Sequence, residues 1–200
     1  MFNLIRRDAI IQKRQLLLFI PFIIFFIVMN SHPALIFMVA SIIIPFNAYA
    51  YDEKAETNIL LNSLPYTRKE IIASRYIGAI VYMGISIGLT SLGLLVFDKP
   101  FTLTDLAIGS GLFLAFVAFT FPLFYIFRGK ITTVIMISFI ILAAVLPPFV
   151  SFLAKHLTII TDLIASLSTS ALYTGVAVVI VLLYAVSWGV TTSIYQRKAF

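Results

Sequence analysis

The chain of 200 residues is 62% hydrophobic and only 11% charged, with a net charge of +6 and no cysteine. Soluble domains carry about a quarter charged residues, so this composition excludes a water-soluble globular protein and points to an integral membrane chain. The missing cysteines exclude disulfides, thiol chemistry and cysteine metal sites.

Residues 1–14 open the chain with a basic amphipathic stretch. At 100° per residue Phe2, Leu4, Ile5, Ala9 and Ile11 share one broad arc, and Arg6, Arg7, Lys13 and Arg14 lie opposite. Such a helix lies in the headgroup layer, although the same charges also serve as a simple topology signal. Five charge-free windows follow, at 15–51, 76–97, 106–127, 131–154 and 163–196. A helix needs about 20 apolar residues to cross the hydrocarbon core. The first window is long enough for two spans, reversed at Asn30-Ser31-His32-Pro33, where proline and turn residues interrupt a helix. The prediction is an all-α integral membrane protein, one transmembrane domain over 1–200. Its six spans fall at about 15–30, 33–51, 70–96, 104–127, 131–153 and 171–195.

Between spans two and three lies the one long hydrophilic stretch, Asp52 to Tyr76, which holds eight of the 22 charged residues. Asp52, Glu53 and Glu56 favour a helix N-terminus through the dipole, and Ala55, Ile59, Leu60 and Leu64 form a partial apolar face. Leu64-Pro65 ends that helix. Thr67-Arg68-Lys69-Glu70 reads as a capping box with Tyr66 and Ile71 as staple, so the next helix starts at Arg68. From the residues alone, 52–66 is equally a lever joined to span three or an amphipathic loop that anchors the bundle.

The later spans carry small-residue pairs at Gly84/Gly88, Gly111/Ala115, Ala171/Gly175 and Ala185/Gly189, the spacing of close helix contacts. Pro147-Pro148 is expected to break or sharply kink span five. Beyond it, 149–167 is apolar but too short to span, and reads as a re-entrant hairpin or an external loop. Phenylalanines crowd span one (Phe19, Phe22, Phe25, Phe26) and span four (Phe113, Phe116, Phe119, Phe121, Phe124, Phe127). Any conduit through such helices is apolar with hydroxyls, which suits a hydrophobic or amphipathic cargo better than a small ion.

Six spans put both termini on one side. That side carries Arg6, Arg7, Lys13, Arg14, Lys54, Arg68, Lys69, Arg75, Arg128, Lys130, Arg197 and Lys198, against Lys99 and Lys155 on the other. Twelve against two sets the termini and the 52–76 loop in the cytoplasm. The net positive charge needs no nucleic acid to explain it. The apolar windows hold no Asp, Glu, Lys or Arg, which argues against an ion-coupled transporter. Arg128-Gly129-Lys130-Ile131-Thr132 lacks the upstream glycine and the Lys-Ser/Thr pair of a phosphate loop. His32 and His156 are read as surface groups without an acidic partner. No hydrolase or zinc motif is present, so no catalytic or metal-binding residue is assigned.

A basic amphipathic N-terminus, six spans in about 200 residues, the loop LLNSLPYTRKEIIASRY and the short tail YQRKAF together resemble the small ABC type-2 permeases of bacterial exporters. The specific part is Ser63-Leu64-Pro65-x-x-Arg68-Lys69-Glu70-Ile71; unlike larger members, the chain has no substantial extracellular domain. The resemblance implies that 52–66 is a coupling helix seated on an ATPase subunit through Asp52, Glu53, Glu56, Ile59, Leu60 and Leu64, with Arg68, Lys69 and Glu70 beside it. It implies that 1–14, with Arg6, Arg7, Lys13 and Arg14, is an elbow helix. It further implies a bacterial plasma-membrane location, a second permease copy (identical or not), two ABC ATPases, and ATP and Mg bound by those partners rather than by this chain. Among members of this size, exporters of amphipathic peptide toxins and self-immunity transporters are the most similar. A membrane scaffold or sensor that uses the same loop, and an ion-coupled secondary transporter, are the alternative readings.

Overall fold

The computed structural model describes residues 16–54, 66–127, 131–156 and 168–197. These form six helices: α1 Leu16–Val28, α2 Pro33–Lys54, α3 Arg68–Val96, α4 Leu103–Ile126, α5 Ile131–His156 and α6 Thr169–Arg197. No strand occurs among the described residues. By length and composition α3, α4 and α6 are apolar enough to cross a membrane, and Pro33–Asn47 of α2 is a shorter apolar stretch.

The reversal between α1 and α2 falls where the sequence places it. Asn30 takes the left-handed conformation, φ 56°. Its N–H bonds the Ile27 carbonyl at 3.1 Å, and the Ser31 N–H bonds Phe26 at 3.2 Å. This pair of bonds is the Schellman closure of a helix C-terminus. His32 then caps α2: its Nδ1 accepts the Ala34 N–H at 3.3 Å, and Pro33, which lacks an N–H, occupies the first helical position at no cost. The end of α3 repeats the same solution, with Asp98 at φ 51° and Lys99 N–H bonded to Leu94 at 2.9 Å.

Two sets of contacts define the ends of the bundle. At one end Lys99 Nζ donates to Asn30 Oδ1 at 2.7 Å, and His32 Nδ1 lies 3.8 Å from Asp105. His32 therefore does have an acidic neighbour, brought to it by α4 rather than by sequence. At the other end Arg68 donates to the Gln196 carbonyl at 2.7 Å, and Arg75 lies over the Tyr49 ring. Helices α1 to α4 thus alternate in direction, and α6 runs antiparallel to α3.

Helix α2 packs against both α3 and α4, and α6 packs against the same two from the far side. Residues from these four helices fill the main core with Phe46, Tyr49, Ile71, Ile72, Tyr76, Phe113, Phe116, Phe121, Phe124, Tyr184 and Tyr195. Helix α1 lies outside, on α2 and α3, and α5 flanks α4 and α2. A second cluster joins Ile23 and Ile27 of α1 to Ile36, Phe37, Ala40 and Ile44 of α2 and to Tyr82 and Leu94 of α3. The phenylalanines of α4 divide by face: Phe113, Phe116, Phe121 and Phe124 are buried, whereas Phe119, and Phe127 just past the helix end, are exposed.

Three sequence expectations change. Helix α5 runs unbroken through Pro147 and Pro148. Proline's fixed φ is itself helical, so the pair removes hydrogen bonds without imposing a non-helical backbone. Among the described residues Gly84, Gly88, Gly175 and Gly189 are not contact points either. A Cβ at Gly84, Gly88, Gly175 or Gly189 would meet nothing within 4 Å. The tight approach is instead at Gly109, where a Cβ would lie 2.7 Å from the Ala34 carbonyl oxygen and from Phe37 Cβ. Gly111 does pack as expected, with Ile180 Cδ1 at 3.1 Å. Thirdly, α2 continues through Asp52, Glu53 and Lys54. Asp52 and Glu53 therefore extend the second predicted span beyond residue 51 and do not open a new helix. A helix already running from Pro33 needs no N-terminal carboxylates to propagate.

Candidate functional site

The residues singled out by sequence fall at one end of the bundle or outside the described residues. Asp52 and Glu53 sit in the last described turn of α2. Glu56, Ile59, Leu60 and Leu64, and with them the body of the 52–66 segment, lie outside the described residues, as do Arg6, Arg7, Lys13 and Arg14 of segment 1–14. The stretch 157–167, which makes up most of the re-entrant candidate 149–167, is outside them as well.

Arg68, Lys69 and Glu70 form the first turn of α3, and its start is well specified. The Thr67 hydroxyl accepts the Glu70 N–H at 3.2 Å, while a Glu70 carboxylate oxygen accepts from the Thr67 N–H at 2.8 Å and from its hydroxyl at 2.9 Å. Both limbs of the predicted capping box are therefore made. Tyr66 and Ile71 join the same apolar cluster, as a staple requires. A matching box at Thr102 and Asp105 opens α4; its Thr-x-x-Asp spacing was available in the sequence. From the first turn of α3, Arg68 reaches across to the Gln196 carbonyl at the end of α6. Side-chain cations near a helix C-terminus complement its exposed carbonyls, so this bond ties the entrance of α3 to the exit of α6.

Arg75, counted from the sequence among the cytoplasmic cations, lies two turns into α3 and is only 8% exposed. Its guanidinium carbon sits 5.4 Å from the Tyr49 ring centroid, a cation–π placement. The Tyr49 hydroxyl donates to Tyr125 Oη at 3.1 Å, and Tyr125 packs edge-on against Tyr195. One arginine and three tyrosines thus join the same ends of α2, α3, α4 and α6. Because Tyr49 and Arg75 meet there, the segment 55–65 connects two helix ends on one side of the bundle.

Deeper in the same core a directed hydrogen-bond chain crosses three helices. Pro122 has no N–H, which leaves the Ala118 carbonyl without its helical donor. The Ser187 hydroxyl of α6 donates to that carbonyl at 2.6 Å. Its only proton is then committed, so the Tyr76 hydroxyl, 2.8 Å away, must be the donor to Ser187. Thr191, 2.7 Å from Tyr76, must in turn donate to it. The order is Thr191 to Tyr76 to Ser187 to Ala118, with Tyr76 and Ser187 each giving one proton and accepting one. Tyr184 adds a bond to the Tyr76 carbonyl at 2.8 Å, and Trp188 stacks on the Tyr76 ring at 7°. Neighbouring hydroxyls commonly satisfy backbone groups freed by proline in membrane helices. Sequence reading noted neither Pro122 nor its partners; Pro122 inside an apolar span was the available signal.

Across residues 3–196 the chain matches the model of the ABC-2 family transporter proteins. The chain belongs to that family. It is accordingly a membrane permease of an ABC transporter, the transmembrane subunit that associates with separate ABC ATPases. No significant match was found among curated proteins or solved structures. Among the described residues of this ABC-2 permease, no group of three or more His, Asp or Glu side chains comes together as a metal site. What the arrangement offers is mechanical: the two helices that flank segment 55–65 are tied by buried aromatic and polar contacts into α4 and α6.

Proposed function

We propose that this permease exports hydrophobic or amphipathic cargo, such as peptides, as a dimer driven by two ABC ATPases. Segment 52–66 is its coupling element, and both termini and that segment are cytoplasmic. Six helices span the bacterial plasma membrane, with 1–14 as the elbow. ATP and Mg act in the partner ATPase; in this chain Glu56, Ile59, Leu60 and Leu64, flanked by Asp52, Glu53, Arg68, Lys69 and Glu70, receive the movement. The observation that carries the reading is the capped, rigid start of α3, bonded through Arg68 to the end of α6. A displacement of the segment before Thr67 is transmitted along α3 rather than absorbed by fraying of its first turn. Apolar helix surfaces and buried hydroxyls support the cargo class.

Co-purification with the ATPase tests this. Wild type should retain a stoichiometric ATPase in mild detergent, and a Glu56→Arg/Leu60→Asp variant should lose it while its helical content and thermal unfolding remain unchanged. Equal retention by the variant refutes the coupling assignment, and a wild type that retains none favours a membrane scaffold or sensor.

A further inference from the structure

His32, between the α1 reversal and α2, meets two opposed demands at one atom. Its Nδ1 accepts the Ala34 N–H at 3.3 Å and lies 3.8 Å from Oδ1 of Asp105 on α4. An accepting nitrogen is bare, so in this arrangement the neutral imidazole carries its proton on Nε2. The same bare nitrogen turns its lone pair on a carboxylate, which is unfavourable. A proton on Nδ1 reverses both contacts: it meets the Ala34 N–H donor to donor, and it is drawn to Asp105. Asp105 is oriented to receive it. Its Oδ2 takes the Thr102 N–H at 2.9 Å and the Thr102 hydroxyl at 2.8 Å, and Oδ1 is the oxygen turned to His32. The start of α2 does not depend on the ring alone, since the His32 carbonyl accepts the Leu35 and Ile36 N–H groups at 2.9 and 3.2 Å.

The pair sits at a tight junction. The Ala34 carbonyl oxygen lies 2.7 Å from where a Cβ on Gly109 would stand, and Gly109 is one turn beyond Asp105 on α4. The His32 side chain is 69% exposed and exchanges protons with solvent directly, whereas Asp105 is 15% exposed. Asp105 is the group that favours a charged imidazole. Lys99, bonded to Asn30 in the same α1–α2 turn, opposes it, as do the N-terminal dipoles of α2 and α4. Asp98 stands beside Lys99, α1 carries no charged residue, and α5, which flanks α4 and α2, ends in Lys155 and His156. We infer that His32 is a proton-operated link: neutral, it caps α2 through the Ala34 N–H; protonated, it gives up that cap and donates Nδ1–H to Asp105, joining α2 to α4. Closing 3.8 Å to a charge-assisted hydrogen bond takes roughly 1 Å of side-chain movement. Acidification thus moves one bond from within α2 to between α2 and α4, and the low-pH form is less well capped but more firmly joined. The exchange depends neither on the cargo nor on which side of the membrane this end faces.

The chain itself makes the test selective. It has two histidines, so a His156→Gln variant assigns the imidazole signals of 15N-histidine protein in micelles. Pro33-Ala34 is its one Pro-Ala pair, so carbonyl-13C proline with 15N alanine singles out the Ala34 amide. Spectra are recorded between about pH 8 and about pH 5, the range over which imidazoles ordinarily change charge. At the higher pH His32 Nδ1 should be the unprotonated nitrogen. On acidification Nδ1 should gain its proton and the Ala34 amide should shift with the same midpoint. In His32→Asn, whose side chain also caps but does not titrate, the amide should stay still. Carboxylates remain ionised at about pH 5, so thermal unfolding tests the other limb. Asp105→Asn should lower Tm by about 1–3 °C more at the lower pH than at the higher, the size of one exposed ion pair in a chain of this length. In the His32→Asn background its cost should be the same at both. Loss of the Thr102 bonds is common to both pH values and cancels in the comparison. A proton on Nδ1 at the higher pH overturns the inference, and so does an Ala34 amide that ignores the imidazole. An Asp105→Asn cost that is independent of pH, or that varies with pH equally without His32, overturns it as well. The spectra of the wild type decide the matter even where a variant fails to fold.

Discussion

Replacing Ser187 by alanine removes the donor to the Ala118 carbonyl at 2.6 Å and the acceptor for Tyr76 at 2.8 Å. Interhelical hydrogen bonds in membranes are worth about 0.6 kcal/mol on average and at most about 1.7, and a buried polar group left unbonded costs about 1–3 kcal/mol. The Ser187→Ala variant should therefore be destabilised by about 2 kcal/mol. The cause can be isolated, because Ala118 needs Ser187 only while residue 122 is proline. Pro122→Ala restores an N–H that can reach Ala118 along the helix. In that background Ser187→Ala should lose only the Tyr76 contact and cost about 1 kcal/mol, leaving a coupling of about 1 kcal/mol. Equilibrium unfolding of the four proteins of this cycle in mixed micelles gives the number. Independent sites add to within about 0.3–0.5 kcal/mol. A Ser187→Ala cost that is the same in both backgrounds within that margin refutes the proline-linked bond.

Two further substitutions test the packing. Gly109→Ala forces a Cβ against the α2 backbone at 2.7 Å and should cost about 2–3 kcal/mol. Gly84→Ala and Gly88→Ala meet open space and should stabilise by up to about 1 kcal/mol through helix propensity; thermal unfolding of the three variants would reverse this order if the sequence pairs were the real contacts. At Asp98, φ 51°, glycine should equal or exceed the wild type in Tm. Valine there should lose about 1–2 kcal/mol, the cost of the left-handed conformation for an L-residue.

Much of the helical scaffold was legible in the sequence because its causes are local. The Asn30–Pro33 reversal and the Thr67–Glu70 box depend on residues within one turn, and both form as read. Contacts between helices were not legible. A Gly-x-x-x-Gly pair states that a close approach is possible, not which helix makes it, so Gly84 and Gly88 were misjudged and Gly109 was passed over. Arg75 was read on the helix that opens at Arg68 and counted among the cytoplasmic cations, but its burial was not; Tyr49, 26 positions earlier, supplies the ring that makes burial tolerable. The chain from Thr191 to Ala118 needs three helices in register, and no pattern along one helix encodes that. Asp52 and Glu53 read as a helix start because their carboxylates suit one, but α2 had already begun at Pro33.

The central claim is that a separate ATPase drives this permease through segment 52–66. It is tested most directly by placing a photoreactive amino acid singly at Glu56, Leu60 or Leu64 and irradiating membranes of the producing cell. The account predicts a permease–ATPase cross-link from at least one of these positions, with a yield that changes when MgATP and vanadate are added, and none from Leu92 on the lipid-exposed face of α3. If the ATPase is present and cross-links to none of the three loop positions, the account is contradicted.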